Sequence, residues 1–454
     1  MSTINRRTFL ASTAAMSAAV ACGRAGAEQQ TSHSGGSNPF ARVREIPDNV
    51  RRIPSDKYPL PFSDQEYKDR LRKTRDKMSQ LGIDLLYVTL PEGMCYLHGY
   101  EVTWYRAQSQ KAWFPSTATA VHVDHDRVIF LGGETVVPSW ATDRRPIRGG
   151  GGPEGSAKTV AQMLVDEGWL KSGTRVGQEF WSYLPNRAVS EMFSKAFKDK
   201  GATIVDGSDV MRQVRLVKSP AEIEAVDMAA RIVDLGHRAI AQGFRPGMSH
   251  AEVYALATSA MYSAGGEVAG IAQGVIPTRP KSLHLLPSRR QIEAGEPFIV
   301  DLAGVYKRYH ANIARTFYWG DPSAELRRLS EAAKGGIEVL VSTAKAGTPV
   351  ATVCKAMREF YKEAGVLDIR GYAGGYDIGI AFPPDWVGDF EFNTNQENPA
   401  GTFLANMVTQ YECALQKPDP GRKYDALANN IDSFVYGTPT RRLSAIDLGT
   451  VWLG

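Results

Sequence analysis

The stretch GGYDIGIAFPPDW, Gly374 to Trp386, combines three glycines, two prolines and a tryptophan around its aspartates. Glycine lets a backbone approach a ligand closely, and proline stiffens the chain around it. That is the composition of a pocket wall, yet it holds no histidine, cysteine or lysine. No histidine occurs anywhere after His310. Cys95, Cys354 and Cys413 are too widely spaced for a disulfide framework or a cysteine-type metal site. Core packing is the expected role of each, with one disulfide open to them in an oxidising compartment. The run Gly149 to Gly152 lacks the Gly-Lys-Ser/Thr ending of a phosphate loop and reads as surface.

The elements that must position this wall are legible from caps and periodicity. Ser63 caps a helix that ends at Gly82, "IDLLYVTL" reads as a buried strand, and "TATAVHVDHDRVIFLGG" as a hairpin turning at Asp124-His125-Asp126. Helix-like "SAKTVAQMLVDEGW" and strand-like "TRVGQEF" complete a small α/β domain, predicted over 57–210. A second unit, 211–454, opens with Ser219 as cap, Pro220 at the first helical position and Glu222 closing a capping box. Ser249 and Glu252 repeat the device. Two later helices, "SAELRRLSEAAKGGIEVLVSTAKAG" and "PVATVCKAMREFYKEAG", and the strand-like runs "PFIVDLAGVY", "HANIARTFYWG", "NMVTQYECAL" and "NIDSFVYG" are segregated rather than alternating, which predicts an α+β unit.

The chain has 454 residues, 43% of them hydrophobic and 22% charged, with a formal net charge of +4. Its basic residues are scattered, which argues against nucleic acid as a partner. Residues 1–22 carry Arg6-Arg7 ahead of an Ala-rich run too short for a membrane helix, the pattern of a twin-arginine export signal. Ala19-Val20-Ala21-Cys22 resembles a lipoprotein cleavage site, so Cys22 is a candidate lipid anchor, with cleavage near Ala27 as the rival. Residues 23–56 read as a flexible tether. A periplasmic protein is expected, free or membrane-anchored.

The series His284, "GEPFIVDLAG", "RYHANIARTF", a Gly-x-x-x-Gly loop and "MVTQYE" resembles the creatinase/aminopeptidase P family. The resemblance implies a pita-bread catalytic domain behind a smaller creatinase-type N-terminal domain. Peptidases of that family hold two divalent metals with two aspartates, one histidine and two glutamates. Asp301 and Glu412 match two of these positions. Asn312, Tyr376 and Ile431 (with Asp432 beside it) stand at the other three. The Gly374–Trp386 stretch is thus similar to a ligand loop whose ligand has been replaced. Two packed cations need several anionic oxygens, so no cofactor is expected. A single or paired divalent metal on Asp301 and Glu412 is the alternative, with Asp377 or Asp432 as substitutes.

"DLAGVYKRYHANIARTF" and "GYDIGIAFPPDW" look closest to the branch of creatinase and ectoine hydrolase, which works without the metal pair. What this implies is a C–N bond hydrolase for an amidine, guanidino or amide small molecule. Two carboxylates facing each other take up a proton or a cation, so a cationic substrate is favoured; pairing with Arg315 is the rival. His284 matches the family's proton shuttle, with His310 as its competitor. Asp301 and Glu412 fix the substrate, or Asp301 attacks it, and Tyr376 donates to a developing oxyanion. Asn312, Asp377 and Trp386 are further substrate-wall candidates. The family pairs as homodimers whose N-terminal domain lends a loop to the partner, here "HGYEVTWYRAQSQ" with Trp104, Tyr105 and Arg106. A metal-dependent Xaa-Pro aminopeptidase or dipeptidase, a lyase and a catalytically dead binding protein are the competing readings.

Overall fold

The computed structural model describes residues 61–103, 105, 116–132, 142–147, 152–271, 274–277 and 286–454. The expected export signal and tether, with Cys22, lie outside the described residues, as do His284, Trp104 and Arg106. Helix α1 (Asp64–Leu81) starts where the Ser63 side chain accepts from the Glu66 N–H and stops at Gly82, whose φ is 63°. Then come β1 (Leu85–Val88), α2 (Pro91–His98), β2 (Ala118–His122), β3 (Val128–Leu131), β4 (Thr142–Arg145), α3 (Gly152–Asp166), β5 (Arg175–Gln178), α4 (Arg187–Lys198) and β6 (Thr203–Asp206). The strands form one mixed sheet in the order β4-β3-β2-β1-β5-β6. β2 and β3 pair antiparallel as the expected hairpin, while β1 and β5 run parallel. Val160 and Leu164 of α3 and Phe193 and Phe197 of α4 join the apolar cluster around Leu85, Ile129 and Leu131 of the sheet.

Helix α5 (Ser208–Leu216) leads into α6 (Pro220–Gly243), whose capping box of Ser219 and Glu222 is formed as the sequence predicts. Helix α7 (His250–Ser263) repeats it with Ser249 and Glu252. Next along the chain are β7 (Val275–Pro277), β8 (Phe298–Tyr306), β9 (Tyr309–Trp319), α8 (Ala324–Thr343), α9 (Val350–Glu363), β10 (Arg370–Tyr376), β11 (Glu391–Asn393), β12 (Val408–Lys417), β13 (Ala426–Val435), β14 (Arg441–Arg442) and β15 (Val451–Leu453). These strands make one nine-stranded sheet whose main path runs β11-β10-β12-β13-β9-β8-β7.

Period-two alternation sorts its side chains into two faces. Val300 and Leu302 pack with Val233 of α6 and Val253 of α7. Tyr411, Cys413 and Phe434 pack with Ile337 of α8 and Met357 of α9. The residues between them, Ile299, Asp301, Glu412 and Ile431, turn to the face away from the helices. Cys95, Cys354 and Cys413 are buried and unpaired.

The β8–β9 turn uses Lys307 and Arg308 at φ 52° and 66° with no glycine. Left-handed backbone is unfavourable for such residues. The Glu267 carboxylate offsets that by accepting both N–H groups, at 2.5 and 3.0 Å. Arg308 then reaches the Ala381 carbonyl at 2.7 Å and so tethers the Gly374–Trp386 stretch to the turn. At the start of that stretch β10 passes close to β12. A Cβ on Gly375 would lie 2.0 Å from the Gln410 carbonyl and 2.7 Å from the Phe392 ring. We therefore expect Gly375→Ala to lower stability in urea denaturation by roughly 1–3 kcal/mol. A variant as stable as the wild type would contradict this strand packing.

Candidate active site

One row of residues crosses five strands in register. Asp301 on β8 faces Ala314 on β9, Ala314 faces Ile431 on β13, Ile431 faces Glu412 on β12, and Glu412 faces Gly374 on β10. Partners in register share a face, so the two carboxylates point the same way, separated by alanine and isoleucine. Both line a cavity of about 570 Å3 with Tyr372, Tyr376, Asp385 and Asn429; its apolar wall is Ile271, Ile276, Ile299, Pro384, Val387 and Ile431. Among these lining residues none is cationic.

The electrostatics come from burial. Burial pushes the Asp301 carboxyl up to about 7, and the N–H of Asn312 Nδ2, donating to Asp301 Oδ1 at 2.7 Å, pulls it part of the way back. Burial, with the Asp301 charge added, pushes Glu412 up to about 8. Burial and then the Glu412 charge raise the Tyr376 phenol well above its ordinary value. Tyr376 stays a proton donor while its oxygen accepts from Trp386 Nε1 at 3.1 Å.

The other expected site residues are placed differently. His310 is fully buried: its Nε2 accepts the Gly270 N–H at 2.9 Å and its Nδ1 meets the Arg308 carbonyl at 2.9 Å. Both ring nitrogens are occupied, so His310 braces the loop. Asn312, also buried, acts through Asp301 and not as wall. The Asp377 carboxylate is turned back to accept the Phe390 N–H at 2.8 Å. Asp377 and Trp386 line a second cavity of about 200 Å3, reached also by Arg212, Arg215 and Lys218; among the described residues Asp385 and Val387 face both spaces. Tyr105 is buried, its hydroxyl donating to the Pro383 carbonyl at 2.7 Å, which ties it to the loop. Arg315 is paired with Asp432 at 2.7 Å and bonds to neither site carboxylate. Sequence reasoning does not single out Tyr372, Asp385 or Asn429. Period-two spacing is the available signal for two of them: Asn429 lies two residues before Ile431, and Tyr372 two before Gly374.

The pattern of metallopeptidase family M24 matches residues 224–432, and that of the creatinase/prolidase N-terminal domain matches residues 70–217. Together they span more than three quarters of the chain. The chain belongs to the M24 family. Among similar proteins, ectoine hydrolase of Halomonas elongata is 29% identical over 72% of this chain and 84% of its own length. An Xaa-Pro dipeptidase of Pyrococcus furiosus is 28% identical over 38% of this chain and 50% of its own. The crystal structure of X-Pro aminopeptidase from Thermotoga maritima superposes with a TM-score of 0.66 at 18% identity, covering 85% of this chain and 99% of that one. The fold is therefore the pita-bread catalytic domain behind a creatinase-type domain.

The five positions that hold metal in M24 peptidases do not suit a metal pair in this chain. Asn312 presents N–H to Asp301 and to the Leu302 carbonyl, at 2.7 and 3.1 Å, and so offers a donor where a ligand oxygen is needed. The Tyr376 oxygen is engaged by Trp386. Ile431 brings hydrocarbon to the middle of the row. Asp432 points to the other face, held by Arg315 and Arg442 at 2.7 and 2.9 Å. Two carboxylates are left where two divalent ions would need several anionic oxygens.

Glu412 makes this burial measurable. An unfolded glutamate ionises near 4.5, whereas in the fold Glu412 keeps its proton to about 8. Below the lower value both states hold the proton and folding carries no penalty. As pH rises through the window the unfolded chain loses it first, so stability falls until about pH 8. We expect Glu412→Gln to melt like the wild type at pH 4 and to be more stable at pH 8.5 by roughly 2–4 kcal/mol. No gain at pH 8.5 would mean that the carboxyl ionises in the fold without penalty.

Proposed function

We propose that this protein is a C–N bond hydrolase for a small molecule bearing an amidinium or guanidinium group, and that it works without a resident metal. The observation that carries the reading is the pair of buried carboxylates, Asp301 and Glu412, facing one cavity whose described wall has no cationic side chain. A cation entering that space satisfies both by charge-assisted hydrogen bonds. The likeness to ectoine hydrolase supports a cyclic amidine as the substrate class. Peptidase chemistry of the Xaa-Pro kind is disfavoured because Asn312, Tyr376 and Ile431 occupy three ligand positions.

In this reading Asp301 and Glu412 hold the cationic N–C–N unit and fix its plane. The Tyr376 phenol, kept protonated, donates to the oxygen of the attacking water and holds it over the carbon, while the electron pair displaced as the C–O bond forms passes to nitrogen. His284, placed by resemblance seventeen residues before Asp301, takes the proton from that water and returns it to the leaving nitrogen, so the net change is addition of water across the C–N bond. Asp301 stays a carboxylate anchor oriented by Asn312. The same proposal includes export by the twin-arginine route, an anchor at Cys22, and a homodimer in which the segment around Trp104 and Arg106 reaches the partner's pocket; the sequence motifs alone support these.

The test is a turnover panel of ectoine, other cyclic amidines, guanidino acids, lactams and Xaa-Pro dipeptides. We expect turnover among the amidines or guanidino acids and none with the dipeptides. Asp301→Asn and Glu412→Gln should each lower kcat/KM by roughly 10²–10⁴-fold. Activity should rise with pH through about 7 to 8, as the Asp301 and Glu412 carboxyls ionise and can hold the cation. Cleavage of Xaa-Pro dipeptides, or turnover indifferent to both substitutions, would overturn the reading.

A further inference from the structure

Asn429 stands on β13 two residues before Ile431, so it shares the cavity face with Glu412 and Asp301. It is 4% exposed. Its backbone N–H is used by Thr316 Oγ1 at 2.8 Å, but its carboxamide oxygen is buried without a hydrogen-bond partner. The next residue shows the contrast. Asn430 points to the other face, and its Oδ1 accepts the Gly449 N–H at 2.9 Å. Asn430 Nδ2, like Asn429 Oδ1, is buried without a partner, so of the two carboxamide oxygens the one left open belongs to the strand position that lines the cavity. Ile276, Ile299 and Ile431, which line the cavity with it, carry no side-chain donor.

A buried acceptor left open in a native protein calls for an explanation, and a bound ligand is one. A single polar atom in an apolar wall is also what orients a ligand in a pocket. We propose that Asn429 is a specificity-determining residue: its side-chain oxygen accepts an N–H from the ligand whose cationic group lies between Asp301 and Glu412. The proposal rests on the reading that this cavity takes a cation. Asn429 lies one step along the strand from the carboxylate row, about 7 Å, roughly the reach of an N–C–N unit with a hydrogen bond at each end. Charge alone therefore does not suffice. The site selects cations with N–H groups on both sides, such as amidinium and guanidinium, over quaternary ammonium.

Two probes separate charge from hydrogen bonding: benzamidinium, a cation rich in N–H, and phenyltrimethylammonium, a cation of similar size with none. Each is titrated by calorimetry into the full-length wild type, Asn429→Leu, Asn429→Ala and Glu412→Gln, with circular dichroism melts to confirm folding. The wild type should bind benzamidinium about tenfold or more tighter than the quaternary cation. In whichever Asn429 variant folds, that preference should fall below about threefold, with the quaternary cation binding as before. A preference unchanged in both Asn429 variants, while Glu412→Gln weakens both cations, overturns the role of Asn429 and leaves the cation reading standing. A wild type that binds neither cation overturns both.

Discussion

Two carboxylates buried on one row of a sheet, with an alanine and an isoleucine between them, set the constraint that organises this protein. Their charge must be balanced, and the described wall supplies no cation to do it. A proton can balance it in part, which is why both carboxyls are pushed up toward neutrality. An entering cation can balance it fully. The row holds Asp301 on β8 and Glu412 on β12, with only the hydrocarbon of Ala314 and Ile431 on the two strands between them.

The scaffold spends much of its buried polar chemistry on holding this geometry. Asn312 orients Asp301, and the Gly374–Trp386 stretch is fastened from several sides. Arg308 holds the Ala381 carbonyl, Tyr105 holds the Pro383 carbonyl, and Glu92 accepts the Phe382 N–H at 3.1 Å. Trp386 then fixes the Tyr376 hydroxyl. None of these groups except Tyr376 lines the main cavity, yet they fasten Asp301 and the loop that carries Tyr376 and Asp385. Preorganisation of this kind holds a phenol O–H in place as a donor, with no rearrangement needed when a ligand arrives.

The sequence made local features plain. Caps at Ser63, Ser219 and Ser249 and the hairpin turn at Asp124–Asp126 are short-range signals, and the structure forms them as written. Asp301, Glu412 and Tyr376 were legible because each sits in a motif with a family counterpart. What stayed illegible depends on contacts between distant segments. His310 reads as a free base until the Gly270 amide and the Arg308 carbonyl close on it. Asp377 reads as a wall residue until Phe390 returns alongside. Asn429 looks like any strand asparagine, and only the missing partner of its oxygen marks it. That absence is a property of packing, which no spacing along the chain encodes.

The central claim is that this site is completed by a substrate cation and not by a metal pair. The most direct measurement is elemental analysis of protein purified without chelator, followed by calorimetric titration with Mn²⁺, Zn²⁺ and Co²⁺. The account predicts substoichiometric metal as purified and no saturable binding that Asp301→Asn and Glu412→Gln abolish. Two tightly held divalent ions per chain, lost in either variant, would contradict it.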